Sequence, residues 1–257
     1  MIELLSNPNA WIALVTLTFL EIVLGIDNII FISIVTGQLP PEKRKRATKI
    51  GMFLAMFMRI TLLFGITILI AMKEPWISIH RSWISADISG QSLILLLGGL
   101  FLIYKSTKEI HAKVDEKGAE EKELKTSAAK RFSQVIVQII LIDLVFSFDS
   151  ILTAVGMTNG VEGALYIMIT AVVISVFIMM QFAVPVGNFV NKHPSIQILG
   201  LSFLILIGFM LLTESAHLSN ALIFGNHVTP VPKGYLYFAI SFSLLVEVLN
   251  MKVKKNK

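Results

Sequence analysis

The sequence predicts an all-α membrane protein of seven transmembrane helices, arranged as two inverted three-helix repeats plus a C-terminal helix. Three observations carry that prediction. Of the 257 residues, 55% are hydrophobic and only 15% charged, where a soluble domain carries about 45–50% apolar and about 25% charged residues. The apolar residues gather into runs long enough to cross a hydrocarbon core of about 30 Å as a helix, which takes about 18 residues or more. An acidic motif in the first run also returns in the fourth. This composition excludes a soluble enzyme.

Taken in order, the first apolar run, 11–35, has no basic leader and contains Glu21 and Asp27, so it reads as a retained span and not a cleaved signal. The second, 47–72, holds Arg59. The third, 91–107, precedes a charged stretch at 108–131 whose alternating acids and bases read as a cytoplasmic linker or an exposed helical extension. The fourth, 132–156, holds Asp143 and Asp149, and the fifth, 162–190, holds Gln181 and Pro185. The sixth and seventh runs are 195–213 and 234–251. Residues 1–257 thus form a single transmembrane domain, with 11–107 as the first repeat, 132–213 as the second and 234–251 as the seventh helix. Pro185 favours a kink by removing a backbone donor. Gly98 and Gly99 in the third span, and Gly200 and Gly208 in the sixth, permit close helix approach.

The net charge of +5 is positional in origin. Lys and Arg number five at 37–49, eight at 105–131, one at 191–194 and four after residue 251, eighteen against three on the alternate side. Basic residues favour cytoplasmic loops, which puts the N-terminus outside and the C-terminus in the cytoplasm. No soluble stretch joins aromatic and basic residues into a nucleic-acid platform, so no nucleic-acid partner is expected.

Glu21–Ile29 reads EIVLGIDNI and Asp143–Ile151 reads DLVFSFDSI, an acid, five residues, Asp, a small polar residue and Ile, at an offset of 122. The same offset carries Arg59 to Gln181. Since each half has three spans, the second enters the membrane from the opposite side, the inverted arrangement of many secondary transporters. A charge at the bilayer centre costs at least about 2.5–3.5 kcal/mol, so four acids and one arginine represent about 10 kcal/mol or more before pairing. Such residues face a cavity or one another and mark a substrate or ion path.

Residues six apart on a regular helix differ by about 240° in azimuth and about 9 Å along the axis. Glu21 and Asp27 share a face only if the helix breaks at Gly25 or the cavity is wide. Alternatively, Asp27 and Asp149 form an inner shell, with Glu21 and Asp143 behind them. The candidate metal ligands are Glu21, Asp27, Asn28, Asp143, Ser147, Asp149 and Ser150. Arg59, Gln181 and Glu247 are candidate counter-ions or gating residues. With no cysteine and no histidine inside a span, the set is all oxygen, which suits Mn²⁺, Mg²⁺ or Ca²⁺ over Zn²⁺ or Cu(I). Met52, Met56, Met58, Met179 and Met180 offer thioethers that favour Mn²⁺ over Ca²⁺, although methionine is also a common packing residue. Four ionised acids and Arg59 sum to −3, and a divalent ion leaves −1. Without the ion, burial favours neutral carboxyl groups, so exchange of metal for protons is expected. No organic cofactor and no enzymatic activity are expected, since no nucleophile is paired with a base.

The segments EIVLGIDNIIFI, GGLFLIYKSTKEIH, DLVFSFDSILTAVGM and VPKGYLYFAISFSLLVEVLN together resemble the TerC family of bacterial integral membrane proteins. The likeness runs from the first span through the seventh. It implies kinship with the LysE-type transporters, a bacterial inner-membrane location and export of Mn²⁺, or delivery of manganese to exported enzymes. The family's acidic motifs fall on Glu21, Asp27 and Asn28 and on Asp143, Ser147, Asp149 and Ser150, and its second-span arginine on Arg59. The tellurite resistance in the family's name is read as indirect, since an oxyanion is repelled by acids. A second reading is a membrane scaffold that hands manganese to secretion machinery or a metalloprotein partner through the 108–131 segment.

Overall fold

The computed structural model describes residues 8–81, 83–115, 128–158, 161 and 163–255, without the side chains of Ile26, Asp27, Ile84, 128–130 and 254–255. Its elements run α1 (Pro8–Gly37), α2 (Pro41–Phe64), α3 (Ile66–Ala71), β1 (Pro75–His80), β2 (Ile84–Ser89), α4 (Gly90–Val114), α5 (Ala128–Thr158), α6 (Ala164–Lys192), α7 (Pro194–Leu218), β3 (Leu222–Ile223), β4 (Asn226–His227) and α8 (Lys233–Lys255). Long helices are what an apolar chain must form in lipid, where each backbone polar group needs a partner within the segment. Proline opens α2 and α7, a position where its missing N–H goes unused. Inside α6 the helix continues through Pro185, which takes away the helical donor of the Gln181 carbonyl.

Among the described residues, six helices are long and apolar enough to cross a membrane: α1, α2, 131–158 of α5, α6, α7 and 233–253 of α8. The third expected span, 91–107, falls within α4, which is not among the six. Its uninterrupted apolar stretch runs only from Leu93 to Tyr104, about 18 Å of helix at about 1.5 Å per residue. Lys105 and Glu109 then pair at 2.6 Å on the next turn. The second expected span, 47–72, is split at Gly65 into α2 and α3.

The all-helical expectation needs correction. The segments 73–90 and 214–233, expected as plain loops, contribute a four-stranded antiparallel sheet in the order β1-β2-β3-β4. Ser78 faces Asp87, Ile84 faces Ile223 and Leu222 faces His227. The β-branched residues of WISIH and ISADIS suit a pleated strand. The turn between β3 and β4 has positive φ at Phe224 (50°) and Gly225 (79°), as the tight hairpin twist demands.

Contacts divide the chain into two compact units, one within 1–68 and 126–192 and the other within 69–125 and 193–257. In the first, α1 packs along α6 and α2 along α5. Gly51 lies against Ile139, Gly187 lies against Ser33, and Asn191 Nδ2 donates to the Ser33 carbonyl at 3.3 Å. Arg44 closes the α1–α2 turn by donating to the Leu39 and Gly37 carbonyls at 2.7 and 3.0 Å, which satisfies orphan acceptors at a helix end.

In the second unit, α4 packs along α7. At their crossing, a Cβ on Gly99 would stand 2.7 Å from the Gly208 carbonyl oxygen, and one on Gly208 would stand 2.8 Å from that of Gly99. Ser215 Oγ donates to the Ser92 carbonyl at 2.6 Å, and Lys113 Nζ donates to Gln197 Oε1 farther along the pair. A reciprocal hydroxyl–backbone box between Ser89 and Ser92 starts α4 directly from β2.

Candidate functional site

Within the first unit, α1, α2 and α5 bring three ionisable groups together away from solvent. Arg59 from α2 uses each of its three nitrogens on a different partner. Nε donates to Ser147 Oγ at 2.9 Å, Nη2 to Asp143 Oδ1 at 2.9 Å, and Nη1 to Glu21 Oε2. Glu21 and Arg59 are each 4% exposed, and Asp143 is 9% exposed. One guanidinium therefore pairs with acids from both of the motifs that the sequence repeats. Lysine has no planar fork to reproduce this.

Helical periodicity explains which side chains meet. Ser147 stands four residues after Asp143, on the same face, and donates to its Oδ2 at 3.0 Å. Asn28 stands seven residues after Glu21, within about 20° of the same azimuth. Its Nδ2 donates to Asp143 Oδ1 at 3.4 Å. Asn28 is only 7% exposed, and its Oδ1 is buried with no hydrogen-bond partner. Beside these groups lies a cavity of about 20 Å³ lined by Asn28, Arg59, Asp143, Met52, Met56 and Met179, among others. About 10–15 Å³ suffices for one water molecule, so the space suits a single small guest.

The other candidates fall in different places. α1 runs unbroken through Gly25, so the break that would have turned Asp27 toward Glu21 is absent. The Asp27 side chain lies outside the described residues. Asp149 is half-buried on α5, about 240° around the helix from Asp143. Ser150 is buried and donates to the Ser147 carbonyl at 3.2 Å. Gln181, at the position matching Arg59, is exposed on α6, and Glu247 is half-buried on α8 in the other unit. Among the described residues, no three Asp, Glu, His or Cys side chains gather as a metal-holding group. The feature that sequence reasoning missed is the seven-residue spacing Glu21–Asn28, matched by Asp143–Ser150. It defines the shared face, whereas the six-residue spacing draws attention to Asp27 and Asp149.

With Glu21 and Asp143 ionised and Arg59 positive, the cluster carries −1. Desolvating three charges is costly, and the pairing offsets it only where geometry and further hydrogen bonds satisfy the remaining valences. Ser147 is such a support, holding both Arg59 and Asp143. Ser147→Ala is expected to cost about 1–3 kcal/mol, the range for leaving buried polar groups unpaired. Thermal unfolding in detergent checks this, and an unchanged midpoint would show that the hydroxyl is not part of the cluster.

The model of the integral membrane protein TerC family matches residues 6–257. The chain belongs to the TerC family. This TerC protein is 49% identical over 253 residues to the UPF0053 inner membrane protein YgdQ of Escherichia coli K12, covering 98% of this chain and 97% of YgdQ. It is 42% identical over 255 residues to a UPF0053 protein of Haemophilus influenzae Rd, covering 99% of both. It is also 40% identical over 254 residues to the UPF0053 inner membrane protein YoaE of E. coli K12, covering 99% of this chain but 45% of that longer relative. No solved structure matches this TerC chain.

Proposed function

We propose that this TerC protein is a carrier that moves a divalent metal ion, Mn²⁺ first, out of the cytoplasm across the bacterial inner membrane. The observation that supports this best is that Asn28, whose buried Oδ1 has no hydrogen-bond partner, lines a small cavity together with Asp143 and Arg59. Native proteins pair nearly every buried polar atom, and an oxygen acceptor left open beside a carboxylate suits a cation that comes and goes.

Arg59 is the internal competitor. Two unit charges 4 Å apart interact by about 4 kcal/mol at an effective dielectric of about 20, so a doubly charged ion beside the guanidinium meets about 8 kcal/mol of repulsion. The ion and Arg59 do not share Asp143. In this reading the ion takes oxygens of Asp143 and Asn28 while Arg59 withdraws toward Glu21, and protons on the carboxyl groups balance charge on the return step.

The packing pattern supports an inverted repeat. Exchanging the first three long helices for the next three turns the α1–α6 pair into α5–α2 and leaves α4–α7 paired with itself, with Gly99 and Gly208 reciprocal across it. In this arrangement α4 also crosses the membrane as the third of seven spans, with the N-terminus outside, the C-terminus in the cytoplasm and a LysE-type kinship. The inner-membrane location draws on the names of YgdQ and YoaE. Partners are the bilayer and the divalent cation, with neither nucleic acid nor an organic cofactor and no enzymatic turnover. The scaffold alternative depends on 108–131, of which 116–127 lie outside the described residues.

Purified protein in vesicles tests the carrier reading against the scaffold. Wild type is expected to move radioactive manganese unaided. Asp143→Asn, Asp27→Asn and Asp149→Asn are expected to lose about 10–100-fold of that flux, the scale on which metal-site partners act. Normal flux in all three would show the site assignment to be wrong, and no flux in wild type would favour a scaffold. Flux that ignores an imposed pH gradient would remove the proton coupling.

A further inference from the structure

We propose that the thioethers of Met52, Met56 and Met179 set the metal preference of this cavity, favouring Mn²⁺ and softer divalent ions over Mg²⁺ and Ca²⁺. This deepens the transport reading and rests on it. Met52 and Met56 are one turn apart on α2, so they project from one face, and Met179 reaches the same cavity from α6. The sulfur of Met179 has a defined seat, since a methyl group added at Gly25 on α1 would collide with its Sδ. Gly25 lies three residues before Asn28 on α1, and Asn28 and Met179 both line the same small space.

The chemistry separates the candidate ions. Ca²⁺ takes 6–8 oxygen ligands, and Mg²⁺ demands near-ideal octahedral oxygen and dehydrates reluctantly. A cavity of about 20 Å³ whose polar donors are one carboxylate and one amide oxygen supplies neither a full oxygen shell nor room for retained waters. Thioethers are soft ligands that add nothing for Mg²⁺ and Ca²⁺, a small gain for Mn²⁺, which itself prefers oxygen, and most for soft ions such as Cd²⁺. The acids and Arg59 then set how much charge the site accepts, while the methionines set which ion. Leucine would fill these positions at nearly the same volume, so the sulfur is the testable component.

The test uses the purified full-length chain and equilibrium binding of Mn²⁺, Mg²⁺ and the soft probe Cd²⁺. Wild type is compared with the triple variant M52L/M56L/M179L and with M180L, a neighbour on α6 outside the cavity lining. Wild type and M180L are expected to prefer Cd²⁺ and Mn²⁺ over Mg²⁺. The triple variant is expected to lose about tenfold or more in Cd²⁺ affinity, a smaller part of Mn²⁺ affinity and none for Mg²⁺. X-ray absorption at the cadmium edge is expected to find sulfur beside the metal in wild type and only oxygen or nitrogen in the triple variant. Wild-type preference retained in the triple variant, or no sulfur neighbour in wild type, overturns the proposal and leaves transport intact. Should the triple variant fail to fold, the single M179L variant and the wild-type absorption spectrum decide alone. Wild type that binds no divalent ion fails the transport reading itself, a different result from an unselective site.

Discussion

Arg59→Met is expected to destabilise the protein by about 3–5 kcal/mol, the cost of leaving a buried ionic partner uncompensated, and to abolish manganese flux. The reason is stoichiometric. One side chain pairs with Glu21 and Asp143 together and also bonds Ser147, so its loss strands two carboxylates in an apolar interior. Arg59→Lys keeps the charge but not the three-way fork, and an intermediate loss is expected. The decisive comparison is the charge-free triple variant Glu21→Gln, Arg59→Met, Asp143→Asn. Buried ion pairs replaced as a set are often neutral or stabilising, so most of the lost stability should return while transport does not. Thermal midpoints in detergent, with flux measured in vesicles, read both quantities. A triple variant that regains flux would mean the cluster is there for folding and not for the ion.

The second large effect is expected at the α4–α7 crossing. Gly99→Ala and Gly208→Ala each place a methyl group under 3 Å from the opposing helix's carbonyl oxygen. A backbone atom cannot rotate aside as a side chain can. Each variant is therefore expected to cost about 3 kcal/mol, the top of the common overpacking range of about 1–3 kcal/mol. The double variant should cost less than the sum, because both methyls force the same two helices apart. Gly156→Ala, which meets nothing within 4 Å, serves as the harmless control. Equal melting of all four proteins would show that these helices do not approach as described.

Much of this was legible in the residues. Charges inside membrane-length apolar runs cannot be incidental, which singled out Glu21, Asp27, Asp143, Asp149 and Arg59 from the residues alone, of which Glu21, Asp143 and Arg59 meet. Paired glycines in the third and sixth runs announced a close crossing, and Gly99 and Gly208 make it. What stayed hidden was three-dimensional in origin. The strands β2 and β3 pair residues far apart in sequence, such as Ile84 and Ile223, so no local window reveals the sheet. The acids six apart stood out as a motif, but an unbroken α1 gives its common face to Glu21 and Asn28. Five methionines offered thioethers in the sequence, and only packing separates Met52, Met56 and Met179, which line one cavity, from Met58 and Met180, which do not.

The guanidinium of Arg59 has a consequence for the proposed transport cycle. Glu21 and Asp143 occupy matching places in the two motifs, yet the residue matching Arg59 is Gln181, which lies exposed. In the inverted-repeat carrier proposed above, two halves that trade roles around one fixed cation would have end states of unequal energy. The empty protein would then rest more often open to one side. Such a lopsided resting poise sets from which side loading is quicker, while the ion gradients alone set the net direction.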